Sequence, residues 1–417
     1  MTSAKATTAK LRMIQITGLF GALIIVGVAG AQILADFTPG GGAGRSGESS
    51  AAGLRTPVKE VWRVRPGFRD LTGVTPAGDF VVIGNETGDT GRFVAVDSRS
   101  GKLLWRTDSR VCVGGQPLAF DCVLFTGYSR GAREDSGITA IDIKTGRPLW
   151  QLPAEIYRDD HPTFAAAAGM LIAVFDGSVR ALEPRTGRTV WTLEIGFDLS
   201  CNSHPSVRDG VVYLHARGVD GHASVFDVDA QSGKERWRSK GGCGNEPNQL
   251  LPLIVRGDRV YKNIGNAVVV YDANNGAEVR KIAGRRMELL LGDVAVTNGD
   301  RITGWDLSSG EVLWNFDAAS ARAVGGAGGV VYLLGEDEPD SRVANGVGLL
   351  YALDARSGAR LWKHEVEPPI RRSDGRPITA DERAQRLKGT YYWPVKQLVI
   401  GSDGLYATTM STLVKIR

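Results

Sequence analysis

The chain has 417 residues, of which 42% are hydrophobic and 23% charged, as suits a globular protein with a substantial core. Its 54 glycines fit a chain rich in hairpin turns. The 50 basic and 46 acidic residues are spread along the length, so the net charge of +4 is no nucleic-acid footprint, which needs a concentrated basic face.

In chain order, a short tail (1–12) carrying Lys5, Lys10 and Arg12 precedes the only long apolar stretch, 13–35. About 20 apolar residues suffice to span a bilayer as a helix. The next basic residue is Arg45, so the positive-inside rule puts the tail in the cytosol and the rest of the chain outside. The rival reading is a cleaved signal peptide with Ala29-Gly30-Ala31 as its small-residue site, which would make the protein secreted. No cysteine follows the stretch to carry a lipid. Residues 36–57, rich in Gly, Ser and Ala, read as a flexible linker.

From residue 58 onward one phrase recurs: an acid, three residues, a glycine, three more, then a tryptophan. It runs Asp97–Gly101–Trp105, Asp142–Gly146–Trp150, Glu183–Gly187–Trp191 and Asp229–Gly233–Trp237. The later copies are Asp272–Gly276–Arg280, Asp306–Gly310–Trp314 and Asp354–Gly358–Trp362. A period of about 40–45 residues marks a repeat architecture. β-rich runs flank each phrase, such as Phe93-Val94-Ala95-Val96 before Asp97 and Leu103-Leu104-Trp105 after Gly101, so each copy reads as a hairpin. The carboxylate can accept turn N–H bonds and the glycine can take φ > 0. A second pair of apolar runs upstream completes a four-stranded antiparallel unit, the size of a propeller blade. The tryptophans then pack against neighbouring blades.

Val58-Lys59-Glu60-Val61-Trp62-Arg63-Val64 reads as an outermost strand with no blade before it, and 397–417 as inner strands with none after. Joining them closes the ring and removes exposed sheet edges. The expected fold is therefore an all-β, eight-bladed β-propeller over 58–417, preceded by a transmembrane helix. Seven blades is the alternative if the fifth or sixth copy is degenerate.

The phrase Ala352-Leu353-Asp354-Ala355-Arg356-Ser357-Gly358-Ala359-Arg360-Leu361-Trp362 resembles the repeat of pyrroloquinoline-quinone-type propellers. That superfamily includes eight-bladed quinoprotein dehydrogenases and non-catalytic relatives such as the propeller of the outer-membrane barrel-assembly machinery. The resemblance covers about 58–417 and implies fold more than function, since the matching residues are packing residues. The dehydrogenases hold their quinone between a tryptophan and a disulfide of adjacent cysteines, beside calcium. This chain has no adjacent cysteines, so no cofactor or catalytic residue is assigned.

Four cysteines suit an exported domain, and Cys112–Cys122 with Cys201–Cys243 is the preferred pairing of the three connectivities possible. Asp159-Asp160-His161 and Glu336-Asp337-Glu338 with Asp340 read as solvated loops before metal sites. One insertion, about 365–390, exceeds what a blade requires. It carries Arg371-Arg372 and a capping-box spacing at Thr379 and Glu382, and Tyr391-Tyr392-Trp393 follows. Arg371, Arg372, Tyr391, Tyr392 and Trp393 are of the residue types enriched at binding hot spots, which makes them the candidate partner-binding residues. The expected function is a membrane-tethered, extracytoplasmic, non-catalytic scaffold that binds an envelope protein or polymeric ligand. A quinone-dependent oxidoreductase or a ligand-sensing module is the alternative.

Overall fold

A computed structural model of the chain describes residues 53–67, 71–85, 92–107, 117–129, 136–154, 162–175, 177–195, 204–217, 223–239, 253–284, 286–299, 301–317, 321–336, 348–367, 397–409 and 411–417. The expected membrane span at 13–35, its flanking tail and linker up to 52, and the capped turn at Thr379 lie outside the described residues. Within the described residues every regular element is a strand, and no helix is long and apolar enough to cross a membrane.

The strands form eight four-stranded antiparallel sheets, which settles the blade count at eight. Seven are continuous in sequence: blade 1 (71–106), blade 2 (118–153), blade 3 (163–194), blade 4 (206–238), blade 5 (254–283), blade 6 (289–316) and blade 7 (322–367). Blade 8 is composite. Its inner strands Gln397–Gly401, Gly404–Thr408 and Leu413–Ile416 come from the C-terminus, and its outermost strand Glu60–Val64 from the other end of the ring domain. Glu60–Val64 pairs antiparallel with Leu413–Ile416, and Lys59 and Arg417 exchange both backbone bonds at 2.8 and 2.9 Å.

Each blade is covered on both faces, so its middle strands read as unbroken apolar runs and not as an alternation. In blade 1, Val81, Ile83, Val94 and Val96 pack on blade 8, whereas Val82, Phe93 and Ala95 pack on blade 2. Among the described residues there are eight apolar clusters, one at each seam between neighbouring blades, and they lead round to the start. The outermost strands carry the exposed aliphatics Val61, Leu104, Leu149, Val190 and Val279, each just before the residue at the tryptophan position.

Candidate binding face

The halves of the repeated phrase serve different seams. Gly101 has φ +70°, and a Cβ there would lie 2.8 Å from the ring of Trp62, which belongs to blade 8. The same contact joins Gly146 to Trp105, Gly187 to Trp150, Gly233 to Trp191, Gly276 to Trp237 and Gly358 to Trp314. Each indole also donates its N–H to the backbone carbonyl just after the next blade's acid. Trp62 bonds Ser98 at 3.0 Å, Trp105 bonds Ile143 at 2.6 Å, Trp150 bonds Pro184 at 2.9 Å, and Trp191 and Trp237 bond Ala230 and Ala273 at 2.9 Å. Trp314 bonds Ala355 at 2.8 Å. Glycine is required because the indole occupies the space of its side chain.

Two copies depart from this scheme and are repaired locally. In blade 5 the tryptophan position is Arg280, whose guanidinium reaches the carbonyls of Leu307 and Ser308 at 3.2 and 3.0 Å, beside Gly310. The missing ring volume is supplied from the facing side by fully buried Trp305, where the other blades place Val96, Ile141, Leu182, Val228, Tyr271 or Leu353. Blade 8 has no acid–glycine hairpin, because its two outer strands come from opposite ends of the chain. Residues 53–55 take that place. Trp362 donates to the Leu54 carbonyl at 2.6 Å, Leu54 N–H donates to the Tyr332 hydroxyl at 2.8 Å, and Arg55 pairs with Asp354.

Each hairpin acid, Asp97, Asp142, Glu183, Asp229, Asp272, Asp306 and Asp354, has at least one carboxylate oxygen bonded within its own turn. Asp97 Oδ1 accepts from Ser100 N–H and Oγ–H at 2.8 and 2.6 Å, and Asp142 Oδ1 from Thr145 N–H and Oγ1–H at 2.8 Å. In Asp97 these bonds hold the carboxyl below its ordinary value. The Ser308 and Ser309 donors hold Asp306 down at about 2, and Arg55 with Ser357 does the same for Asp354. These carboxylates therefore add stability above their unfolded pKa near 4, and lose it as pH falls toward 2. Further bonds stitch neighbouring blades at this end: Arg185 to Asp121 at 3.0 Å and Arg356 to Asp306 at 3.5 Å. It is a short, rigid, polar surface.

Strand alternation places the other connections at the opposite end of the sheets. Every segment of the ring outside the described residues joins strands there, including 108–116, 130–135, 155–161, 196–203, 240–252, 337–347 and 368–396. Arg371, Arg372, Tyr391, Tyr392 and Trp393 lie outside the described residues, as do Cys112, Cys201, Cys243 and the loop acids at 159–161 and 337–340. The flanks of 368–396 are fixed: Val366 is buried in the seam with blade 8, and Arg63 donates to its carbonyl at 2.8 Å. Cys122 corrects one expectation. It sits in the turn after the innermost strand Leu118–Phe120, and Cys112 comes before that strand in the sequence. Cys122 is an exposed free thiol and the expected Cys112–Cys122 bridge is not formed.

Three groups perturbed by burial stand on different blades. Burial pushes His204 down to about 4, lowers His364 and raises Glu288, and these three belong to blades 4, 7 and 6. Among the described residues no group of three or more His, Cys, Asp or Glu could hold a metal ion.

Three buried charges among the described residues escaped the sequence reading: Lys262, and two that share one position in the blade. Both stand two residues before the hairpin position, across the sheet from a docking tryptophan, where blades 1, 2, 3 and 7 place Ala95, Ala140, Ala181 and Ala352 and blade 6 has Gly304. In blade 8 the residue is Lys415, opposite Trp62, and in blade 4 it is Asp227, opposite Trp237. An acid in a column of alanines is a signal that aligning the copies would have shown.

An eight-bladed ring with tryptophans docked across its seams defines the class: a pyrroloquinoline-quinone-type repeat propeller. The family described as outer membrane protein assembly factor BamB matches residues 56–198, 175–286 and 291–385, and the chain belongs to that family. The outer membrane protein assembly factor BamB of Shewanella oneidensis is 26% identical over 285 residues, 65% of this chain and 61% of that protein. The chain thus spans less than two thirds of that relative's length. BamB of Burkholderia pseudomallei is 22% identical over 306 residues, 67% of this chain and 73% of that protein. The crystal structure of the computationally designed Ika8 protein shares the fold, with TM-score 0.57 at 16% identity over 86% of this chain and 98% of that one.

Proposed function

We propose that this propeller is a non-catalytic scaffold of the cell envelope that binds a protein partner through the end of the ring carrying its long connections. The observation that carries this reading is the asymmetry of the two ends. One is occupied by seam-sealing hairpins, in each of which the acid already accepts a bond within its own turn. The other gathers the connections that vary most from blade to blade, on a rigid frame, which suits recognition. Family membership supports the class, since the named relatives are outer membrane protein assembly factors. The apolar run 13–35 would tether the propeller to a membrane on its extracytoplasmic side, through the linker that reaches the ring at Gly53. Arg371, Arg372, Tyr391, Tyr392 and Trp393 in the longest connection would supply the partner contacts. Alanine replacement of Tyr391, Tyr392 and Trp393 together is expected to weaken partner capture at least tenfold with the unfolding transition unchanged. Undiminished capture by a folded variant would remove those residues from the interface.

A further inference from the structure

The seam between blades 4 and 5 is built unlike its neighbours. Asp227 is fully buried opposite Trp237, and its oxygens make no hydrogen bond of ordinary geometry. Among the described residues it forms an ion pair with Arg236 Nε at 3.7 Å, on a side chain 38% exposed. Trp237 is the ring that seals this seam, seated on Gly276 and bonded to Ala273 in blade 5. The groups that face or flank the carboxylate come from every packed element. From blade 4 they are Arg236 and Glu235 on the outermost strand, Tyr213 directly across the sheet, and Arg208 and Asp209 beyond it. His215, buried, lies on the same strand face as Tyr213. Blade 5 contributes Tyr271, and buried Lys262 on the strand face that carries Val260.

We infer that this seam is a proton-responsive joint, in which protonation of Asp227 seats Trp237 firmly on blade 5 and ionisation loosens it. The reason is solvation. A carboxylate taken from water without hydrogen bonds is costly as the ion and much less so as the neutral acid. Burial accordingly pushes Asp227 up to about 6, against the partial relief offered by Arg236 and the backbone amides of Arg236 and Trp237. The sign follows from linkage. An acid with a raised folded-state pKa binds its proton more tightly when the seam is closed, so closure is favoured most below the ordinary carboxylate value near 4, and that advantage is lost as pH rises through about 6. The connection 240–252 springs from the two strands this joint brings together, Glu235–Arg238 and Ile254–Arg256, so the joint sets how firmly one sector of the proposed binding face is held.

Hydrogen exchange of the full chain at pH 5 and pH 8, corrected for intrinsic rates, tests this. The backbone amides of the 272–276 hairpin, on which Trp237 sits, should gain up to roughly tenfold protection at pH 5 relative to the 142–146 hairpin, on which Trp105 sits. Asp227→Ala, which installs the residue of four sister blades, should abolish that relative gain. Equal pH responses of the two hairpins in the wild type, or persistence of the difference in Asp227→Ala, would overturn the inference. The wild-type contrast stands without the variant.

Discussion

The seam between blades 8 and 1 and the seam between blades 4 and 5 share one design and differ in how a buried charge is treated. In each, a tyrosine, a charged residue and the docking tryptophan lie side by side across three strands: Tyr406, Lys415 and Trp62 in blade 8, and Tyr213, Asp227 and Trp237 in blade 4. The rings stand similarly, 6.1 Å apart at 50° in blade 8 and 6.4 Å at 51° in blade 4. Lys415 is satisfied. Its ammonium donates to Asp403 at 2.5 Å and across the seam to the Ser98 carbonyl at 2.8 Å, the acceptor Trp62 also uses. Tyr406 donates to the other Asp403 oxygen at 2.7 Å. Asp227 has, among the described residues, the distant Arg236 side chain and partial relief from the backbone amides of Arg236 and Trp237. The seam that joins the chain's two ends is thus locked by a charge network, and the seam halfway round carries a charge that works against closure. A buried ion stabilises or destabilises according to its hydrogen bonds, not its sign.

The largest effect should come from the docking rings. Truncating a buried tryptophan costs about 3–5 kcal/mol. Trp62→Ala should cost more than Trp237→Ala, by roughly 1 kcal/mol, because removing Trp237 also lets water reach Asp227 and recovers part of its desolvation cost. Urea unfolding of both variants at pH 8 checks this, and the reverse order would break the comparison. A smaller effect is expected at Asp403. Asp403→Asn leaves Lys415 buried without its counter-charge and should destabilise the chain by roughly 1–3 kcal/mol, discounted because Asp403 itself is partly exposed. Asp227→Ala should act in the opposite direction at pH 8. If removing Asp403 and removing Asp227 shift stability the same way, the two seams are not the contrast drawn above.

The architecture was legible because it is written in residues whose roles repeat. Gly101 and Trp62, or Gly146 and Trp105, are each explained by a contact needed in nearly every blade, and periodicity exposes them. The composite blade could be read for the same reason, since an unpaired outer strand at one end matched unpaired inner strands at the other. What could not be read depends on which blade faces which. Trp305 compensates for Arg280 from another strand across a seam, Leu54 serves as the acceptor a missing hairpin would have supplied, and Lys415 finds Ser98 from the far end of the chain. The cysteines misled because short sequence separation hid the intervening strand Leu118–Phe120. The candidate binding residues stand on weaker ground than the frame, since a hot spot has no period to betray it.

In the proposed function one end of the ring binds a partner while the other only holds the ring together. Photo-crosslinking amino acids placed singly in the full-length protein in living cells test it, at Arg371 and Tyr392 in the longest connection and at Arg99, Lys144 and Arg188 on the hairpin end. One recurring envelope protein should crosslink from the connection positions and none from the hairpin positions. The same partner captured from the hairpin positions, with nothing from Arg371 or Tyr392, would contradict it.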